Sequence, residues 1–527
     1  MPNILQLLKR RRIDCSKVNS HGVITVDLTE DEDIECREDS TQVGDVPNEP
    51  IISTEEGTTP VIENIGHIKC PMCQLDISEL EISQRESHVE LCLLSPSRAS
   101  YIYKPSQKKP KKARQLQKPK EPNNPKSCSD DRPKHPKKPK KPLPDFKIVD
   151  LPPHKVIVDG FCYADGPSDQ YFLSHFHSDH YIGLAKSWEQ GTIYTSEITA
   201  RLLMKHIRVP GERIVSIPMQ ERYQVRKGLW VTLEDANHCP GAVVFLFECD
   251  HRGKTKRVLH TGDFRVSRTL IDRFKDIYLD EIFLDTTYLN PQYTFYDQRV
   301  VINTTASFVQ KCIAKKKPGI LDYVKGITEF VILIGSYTIG KEKIYTEIAK
   351  TLDTKIFVPP KRYETLSLSG MNMDLFEQKD ESKCMIHVVP FQRLVDKPWL
   401  KRFSNKNIII IRPTGWTFTR MGKSSIPQCE KPGNRCEDTL MKVFSQRIQT
   451  DSLFEEQLKK QWEKGHVLQV PYSEHSSFKE LSLFGTISQW GQMIPTVSVD
   501  NPEFPMWFKA WKECKVDYSV VESHFTL

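Results

Sequence analysis

The string His175-Phe176-His177-Ser178-Asp179-His180 constrains this chain more than any other feature, because it directly follows the strand-like run Tyr171–Ser174. Alternate residues of an extended segment face the same way, so His175 and His177 can share one cation. Asp179 and His180 are then placed for a neighbouring ion. A single histidine is usually a satisfied core residue, but three in six positions beside a carboxylate are not easily explained that way. Two more candidates stand at expected strand ends. His238 lies in the turn-rich Asp235-Ala236-Asn237-His238-Cys239-Pro240-Gly241, and Asp263 in His260-Thr261-Gly262-Asp263. Imidazoles and carboxylates gathered on loops at a sheet edge are what a hydrolytic zinc or manganese site needs. Imidazole favours zinc, and a carboxylate can bridge two ions. Cys239 precedes Pro240 and reads as a small buried residue rather than a ligand.

The surroundings of this string are α/β in character. Val156–Val158, Tyr171–Ser174, Val231–Leu233, Ala242–Phe247, Arg257–His260, Ile282–Leu284, Phe330–Ile334, Ile408–Ile411 and Val467–Val470 read as strands separated by helical stretches. The first 144 residues differ. Residues 23–63 hold 13 acids against one arginine, whereas 104–142 hold 13 lysines and two arginines against three acids. Residues 1–65 lack apolar periodicity and read as a disordered tail. Residues 97–144 alternate lysine with proline and read as an extended linker, able to hold a phosphate backbone non-specifically. Lys9-Arg10-Arg11-Arg12 reads as a nuclear import signal or a solvated basic end. The β-branched Val23–Thr29, followed by Glu30, Asp31, Glu32 and Asp33, can add to a sheet edge and resembles a SUMO-interacting motif. No apolar run is long enough for a membrane span, and the basic N-terminal cluster follows its apolar stretch, the reverse of a signal peptide. The expectation is a soluble, intracellular, nuclear protein whose 14 cysteines are thiols or metal ligands.

Four such ligands stand together. Cys70-Pro71-Met72-Cys73 is followed after 14 residues by His88 and Cys92, four apart on one helical face. Four nitrogen and sulfur ligands close a tetrahedral zinc site and leave no place for water, so this ion is structural. Residues 66–96 resemble a ubiquitin-binding zinc finger of the Cys-Cys-His-Cys kind. Such fingers often bind through an Asp two residues after the ligand His, and here Glu90 takes that place. A DNA-contacting finger is the alternative, against which Asp76, Glu79, Glu81, Glu86 and Glu90 argue.

Across 145–527 a second resemblance covers the rest of the chain. Asp159, the His175–His180 string, His238 and Asp263, in that order, resemble the motifs of the metallo-β-lactamase fold. Asp285 in Asp285-Thr286-Thr287-Tyr288 and His475 in Ser473-Glu474-His475-Ser476 resemble motifs A and B of its nucleic-acid-processing β-CASP branch. The strings around His175, His238, Gly335 and Arg412 are similar to those of the DNA interstrand-crosslink-repair nucleases. The resemblance implies an αββα sandwich over 145–296 and 407–527, with a β-CASP insertion over 297–406 from which Ile408–Ile411 returns to the sandwich. It implies a first metal site of His175, His177, His238 and Asp263, and a second of Asp179, His180 and Asp263. Motif C of the RNA-processing relatives is a histidine; here Val499 stands at that position and cannot ligate, leaving the second site one ligand short and open to magnesium or manganese. His475 is then the acid for the leaving oxygen, Asp285 its orienting partner, and Asp159 a support for the ligand loop.

One loop suggests polarity. Gly335-Ser336-Tyr337-Thr338-Ile339-Gly340-Lys341 follows a strand and precedes a helix, so Ser336, Thr338, Gly340 and Lys341 form a candidate cradle for a DNA 5′-phosphate. An ordinary strand-to-helix turn is the plain alternative, and Glu342 excludes a Walker A motif. The expected activity is a metal-dependent 5′-to-3′ DNA exonuclease of crosslink repair. The alternatives are a DNA or RNA endonuclease with the same metal chemistry, or a weakly catalytic scaffold recruited by ubiquitin and SUMO.

Overall fold

A computed structural model describes residues 142–163, 166–293, 295–315, 329–415, 435–445, 451–465 and 467–525. The acidic tail with Val23–Thr29, the cysteine cluster with Glu90, and most of the Lys/Pro linker lie outside the described residues.

Two sheets come first. β1 (Ile148–Leu151) to β5 (Ile214–Ile217), with β2 at His154–Val158, β3 at Gln170–Phe172 and β4 at Thr192–Ser196, lie in sequential order. The pair β1/β2 is antiparallel and the rest are parallel. β6 (Tyr223–Arg226), β7 (Leu229–Asp235), β8 (Val243–His251) and β9 (Lys254–His260) form an antiparallel meander, to which β10 (Tyr278–Leu284) adds in parallel. The period-2 alternation of strand side chains explains why these sheets stack. Val156, Val158 and Phe172 of the first sheet meet Val231, Phe245, Phe247 and Val258 of the second in one buried cluster. The alternate residues Ile157, Tyr171, Val244, Leu246 and Leu259 belong to another cluster, with Trp188, Phe274, Phe484, Trp507 and Trp511. Both faces of each sheet are therefore covered, giving a sandwich with helices outside.

The chain then builds a third sheet, wholly parallel. Its strands are β11 (Phe330–Gly335), β12 (Lys355–Phe357), β13 (Phe376–Glu377), β14 (Cys384–Val389), β15 (Asn407–Pro413) and β16 (Val467–Val470), in the order β13-β12-β14-β11-β15-β16. Its central runs are apolar on both faces, as buried parallel strands require: Ile332 and Ile334 face one cluster, Val331 and Leu333 another. Ile408–Ile411 corrects the sequence reading. It does not return the chain to the sandwich but lies in β15, with Ile409 opposite Ile332 and Ile411 opposite Ile334. A continuous isoleucine run needs cover on both sides, and the middle of this sheet supplies it. The inserted sheet thus continues through β16, although between β15 and β16 the helix Arg435–Ser445 already lends Cys436, Leu440, Val443 and Phe444 to the sandwich's outer core. The chain rejoins the sandwich for good with the helix Phe478–Ile487, whose Phe478, Leu481 and Phe484 join the same core, and with β17 (Gln489–Pro495), parallel to β10.

Candidate metal centre

The candidate ligands are delivered by chain segments just beyond β3, β7 and β9, and their supports Asp159 and Asp285 by those beyond β2 and β10; several of these segments are held in left-handed backbone. Asp159, Asn237 and Gly262 have φ of 51°, 52° and 53°, a conformation that Asn, Asp and Gly tolerate best. A side chain at 262 would also place its Cβ 2.7 Å from Ser174 Cβ, so glycine is required beside Asp263.

Hydrogen bonds fix each imidazole. Ser174 donates its N–H and Oγ–H to Asp159, at 2.9 and 2.7 Å, and its Oγ accepts from His175 Nδ1 at 2.9 Å. His238 Nδ1 donates to the Glu474 carbonyl (2.9 Å), and His177 Nε2 donates to the Ile339 carbonyl (3.3 Å). What remains is three bare ring nitrogens: His175 Nε2, His238 Nε2 and His177 Nδ1. His238 Nε2 and His177 Nδ1 stand 3.2 Å apart. Asp263 Oδ2 lies 3.8 Å from His175 Nε2 and 3.9 Å from His238 Nε2. His175 Nε2 is buried without a hydrogen-bond partner. Acceptors that converge without a donor repel one another unless a cation sits among them. Their spacing approaches the edge of about 3.3 Å expected for a tetrahedron with zinc–nitrogen bonds near 2.0–2.1 Å. The four residues fit zinc.

A second group shares Asp263. His180 Nδ1 donates to Asp159 Oδ2 at 2.7 Å, which leaves His180 Nε2 facing Asp179 Oδ2 (3.5 Å) and Asp263 Oδ2 (3.3 Å). Burial alone disfavours a charged His180, yet Asp263, Asp179 and Asp159 outweigh it and raise its pKa well above the usual imidazole value. Burial dominates for His175, whose pKa is well below that value, and for His238, lowered to about 4. Burial works against the Asp263 carboxylate too, but His180 and its neighbours hold its pKa well below the ordinary range. Asp159 touches Ser174 and His180, and belongs to neither ligand group. Val499 offers no ligand atom. Cys239 is buried, its thiol pushed well up by that burial, and it joins no ligand group among the described residues.

His475 stands at the edge of both groups. Its Nε2 is 3.9 Å from Asp263 Oδ2, and its Nδ1 donates to Asp285 Oδ2 at 2.8 Å. Asp285 is pinned by Thr287 N–H (3.0 Å), Thr287 Oγ1 (2.6 Å) and Phe264 N–H (3.3 Å). Burial disfavours the His475 imidazolium, but the carboxylates of Asp285 and Asp263 prevail and raise its pKa to about 9. Arg265 was not singled out from the sequence, since a lone arginine after a motif carries no signal. It is buried, donates to the Ser473 carbonyl (2.8 Å) and pairs with Glu480 (3.0 Å), steadying the His475 loop from the Asp263 side.

The loop Gly335–Lys341 also reaches this site, though not as a phosphate cradle built on free donors. Gly340 N–H donates to the Glu342 carboxyl (2.8 Å) and Lys341 N–H to that of Glu474 (2.6 Å). Ser336 is buried, donating to the Gly340 carbonyl and accepting from Arg362. The Lys341 ammonium is packed among the rings of Tyr337, Phe391 and Tyr472, 5.5–6.0 Å from their centroids. Thr338 alone of the four is exposed. Two backbone donors just before the helix Glu342–Thr351, the N–H groups of Gly340 and Lys341, are thus already taken by the molecule's own carboxyl groups.

A two-sheet sandwich carrying histidines and aspartates on the loops at its strand ends is the arrangement of metallo-β-lactamase-type proteins, and residues 376–501 match the family described as DNA repair metallo-beta-lactamase. The DNA cross-link repair protein PSO2/SNM1 of Saccharomyces cerevisiae is 30% identical over 606 aligned positions, covering 96% of this chain and 89% of that protein. The corresponding protein of Schizosaccharomyces pombe is 32% identical, covering 67% of this chain and 62% of its own length. The rat 5′ exonuclease Apollo is 27% identical over 63% of this chain and 51% of its own. The chain belongs to the PSO2/SNM1 family of DNA cross-link repair proteins.

Proposed function

We propose that the protein is a metal-dependent deoxyribonuclease that hydrolyses phosphodiester bonds during DNA crosslink repair, working from 5′ ends. The observation that carries the chemistry is the set of three imidazoles with their bare nitrogens turned toward Asp263. His175, His177, His238 and Asp263 would hold zinc, and Asp179, His180 and Asp263 a second, weaker divalent ion open to zinc, magnesium or manganese. Bound there, such ions supply Lewis-acid polarisation of the phosphodiester and a nucleophile at neutral pH. The chain's own part is positioning and proton transfer. Asp285 orients His475 and stabilises its protonated form, and His475 Nε2 delivers that proton to the leaving sugar oxygen. Asp159 keeps His180 Nε2 turned inward.

The 5′ polarity draws its support from the relative named a 5′ exonuclease. With the Gly340 and Lys341 N–H groups already bonded, the second reading is a DNA endonuclease with the same metal chemistry. Recruitment belongs to the N-terminal region: Cys70, Cys73, His88 and Cys92 hold a structural zinc, Glu90 meets ubiquitin, Val23–Thr29 meets SUMO, and the Lys/Pro linker holds DNA in the nucleus. The experiment compares digestion of end-labelled 5′-phosphorylated DNA, 5′-hydroxyl DNA and RNA, with metal content measured on the same sample. Release of mononucleotides from the 5′ end of DNA supports the full reading. Internal cuts move the endonuclease ahead, and a metal-free protein that digests DNA equally well refutes the metal chemistry.

A further inference from the structure

Glu474 precedes His475, and nothing in the chemistry above uses its side chain. It nevertheless stands where the inserted sheet meets the sandwich. Its main-chain carbonyl accepts from His238 Nδ1 at 2.9 Å. Its side-chain Oε1 accepts the Lys341 N–H at 2.6 Å, and Tyr472 Oη approaches the same oxygen at 3.5 Å. Its Oε2 is 3.0 Å from where a Cβ at Gly340 would be, and that position is also 3.7 Å from His177 Nε2. One residue earlier, the Ile339 carbonyl accepts from His177 Nε2. The bonds close a circuit: His238 to Glu474, Glu474 to Lys341, along the chain to Ile339, then to His177, whose Nδ1 faces His238 Nε2 at 3.2 Å.

The loop in that circuit is under backbone strain. Gly340 has φ of 101°, and Lys341, which carries a side chain, has φ of 66°. A non-glycine residue stays in left-handed backbone only where its surroundings hold it there. Glu474 supplies part of that hold, through the N–H of the strained residue itself. Without the bond, Lys341 is free to relax, and the Ile339 carbonyl two residues earlier moves with it. His177 would then lose the acceptor that keeps its proton on Nε2 and leaves Nδ1 bare.

We infer that Glu474 is a positioning residue, fastening the loop Ile339–Lys341 of the inserted sheet so that His177 and His238 present bare nitrogens to the same cation. The inference rests on the metal-binding reading above and extends it, assigning the inserted sheet a part in building the first metal site. Bonds that orient ligand histidines typically count for 10–100-fold in metal affinity, roughly.

The test uses the full chain carrying Cys70→Ala, which disables the separate cysteine cluster, with zinc affinity read by competition against a chromophoric chelator. Glu474→Ala is expected to bind zinc about 10–100-fold more weakly. Glu474→Gln, which keeps an acceptor oxygen, is expected to restore most of that affinity. Unchanged affinity in Glu474→Ala overturns the inference. So does an equal loss in Glu474→Gln, which assigns the effect to charge rather than to the hydrogen bond. Should Glu474→Ala lose its cooperative melting transition, Gly340→Ala replaces it, since the added methyl displaces the loop with Glu474 in place. Weakened binding there supports the inference and unchanged binding overturns it. If the Cys70→Ala protein itself takes up no zinc, the metal-dependent reading fails and the inference falls with it. Equal uptake by all the variants leaves that reading standing and removes only the role of Glu474.

Discussion

Of the three clusters that share Asp263, one of them the proton-transfer pair His475 and Asp285, the two assigned as ligand groups differ in how they are built. The first is rich in imidazole: His175, His177 and His238 are each locked by a hydroxyl or backbone carbonyl, and their partners come from the sandwich and the inserted sheet alike. The second is rich in carboxylate: His180 is its one imidazole, beside Asp179 and Asp263, and its lock is the Asp159 carboxyl. Imidazole donors with fixed tautomers suit zinc, whereas a short, oxygen-rich set suits a harder and more weakly held ion. The electrostatics diverge in the same way. The first group's histidines sit below the usual imidazole pKa because burial dominates, while His180 sits well above it because carboxylates do. A site ready for a cation without losing protons and a site that must lose one first should fill in that order.

Asp263 is the residue that joins them, so it gives the largest expected effect. Asp263→Ala should reduce DNA hydrolysis roughly 10⁴-fold, the scale on which a member of a catalytic unit counts, and lower the metal content of the purified protein. A loss of tenfold or less (about 1.4 kcal/mol of barrier) would break the idea of a shared bridge. His475→Ala comes next, with an expected loss of about 10²–10⁴-fold and metal content unchanged, because its role is proton delivery. With the His475 pKa raised to about 9, the acid form is present below that pH and disappears as pH rises through it. The rate should therefore fall on the alkaline side. Asp285→Asn, which removes the carboxylate supporting the imidazolium, should move that fall to lower pH. A pH–rate profile identical in both proteins would detach Asp285 from His475.

Much of this was legible in the sequence because it was local. The His175–His180 string lies at one strand end, so spacing alone put its side chains together, and each expected strand is present because its apolar run is buried. What could not be read was set by distant partners. The bond from His177 to Ile339 spans 162 residues and that from His238 to Glu474 spans 236. The strands β4 and β17 escaped notice because four of the five side chains of Thr192–Ser196 carry hydroxyls and Gln489–Pro495 carries a glycine and ends in proline. Ile408–Ile411 was correctly seen as a strand but assigned to the wrong sheet, since an apolar run states that it is buried and not by what. The bond that takes up the Lys341 N–H group of the candidate cradle was hidden for the same reason. Glu474, which occupies the Lys341 N–H, is 133 residues away.

His180→Ala sharpens the contrast between the groups. It removes the second group's only imidazole and leaves the four residues of the first intact. Hydrolysis should slow by about 10–100-fold, less than for Asp263→Ala, and the protein should retain its tighter-bound ion on dialysis against a chelator. Complete loss of metal would mean that the groups are one cooperative site rather than two of unequal strength.

The smallest effect on chemistry should come from Glu480, which braces the His475 loop through Arg265. Glu480 is buried, which by itself opposes its charged form, but the Arg265 guanidinium lowers its pKa to about 2. The sign follows from linkage. A carboxyl whose folded pKa is depressed stabilises the fold at every pH above its ordinary value near 4.5, and that contribution is lost as pH falls through about 2. Glu480→Gln keeps an oxygen for Arg265 while removing the titration. At neutral pH its hydrolysis rate should change by a few-fold at most, because the Ser473 carbonyl still receives Arg265 Nη1 and His475 stays in place. Its melting temperature should be lower at pH 7 and should fall less steeply than that of the unaltered protein between pH 4.5 and 2. Parallel curves over that window would show that the Arg265–Glu480 pair does not govern acid stability. A hundredfold loss of rate at neutral pH would instead place Glu480 among the groups that set the geometry of His475.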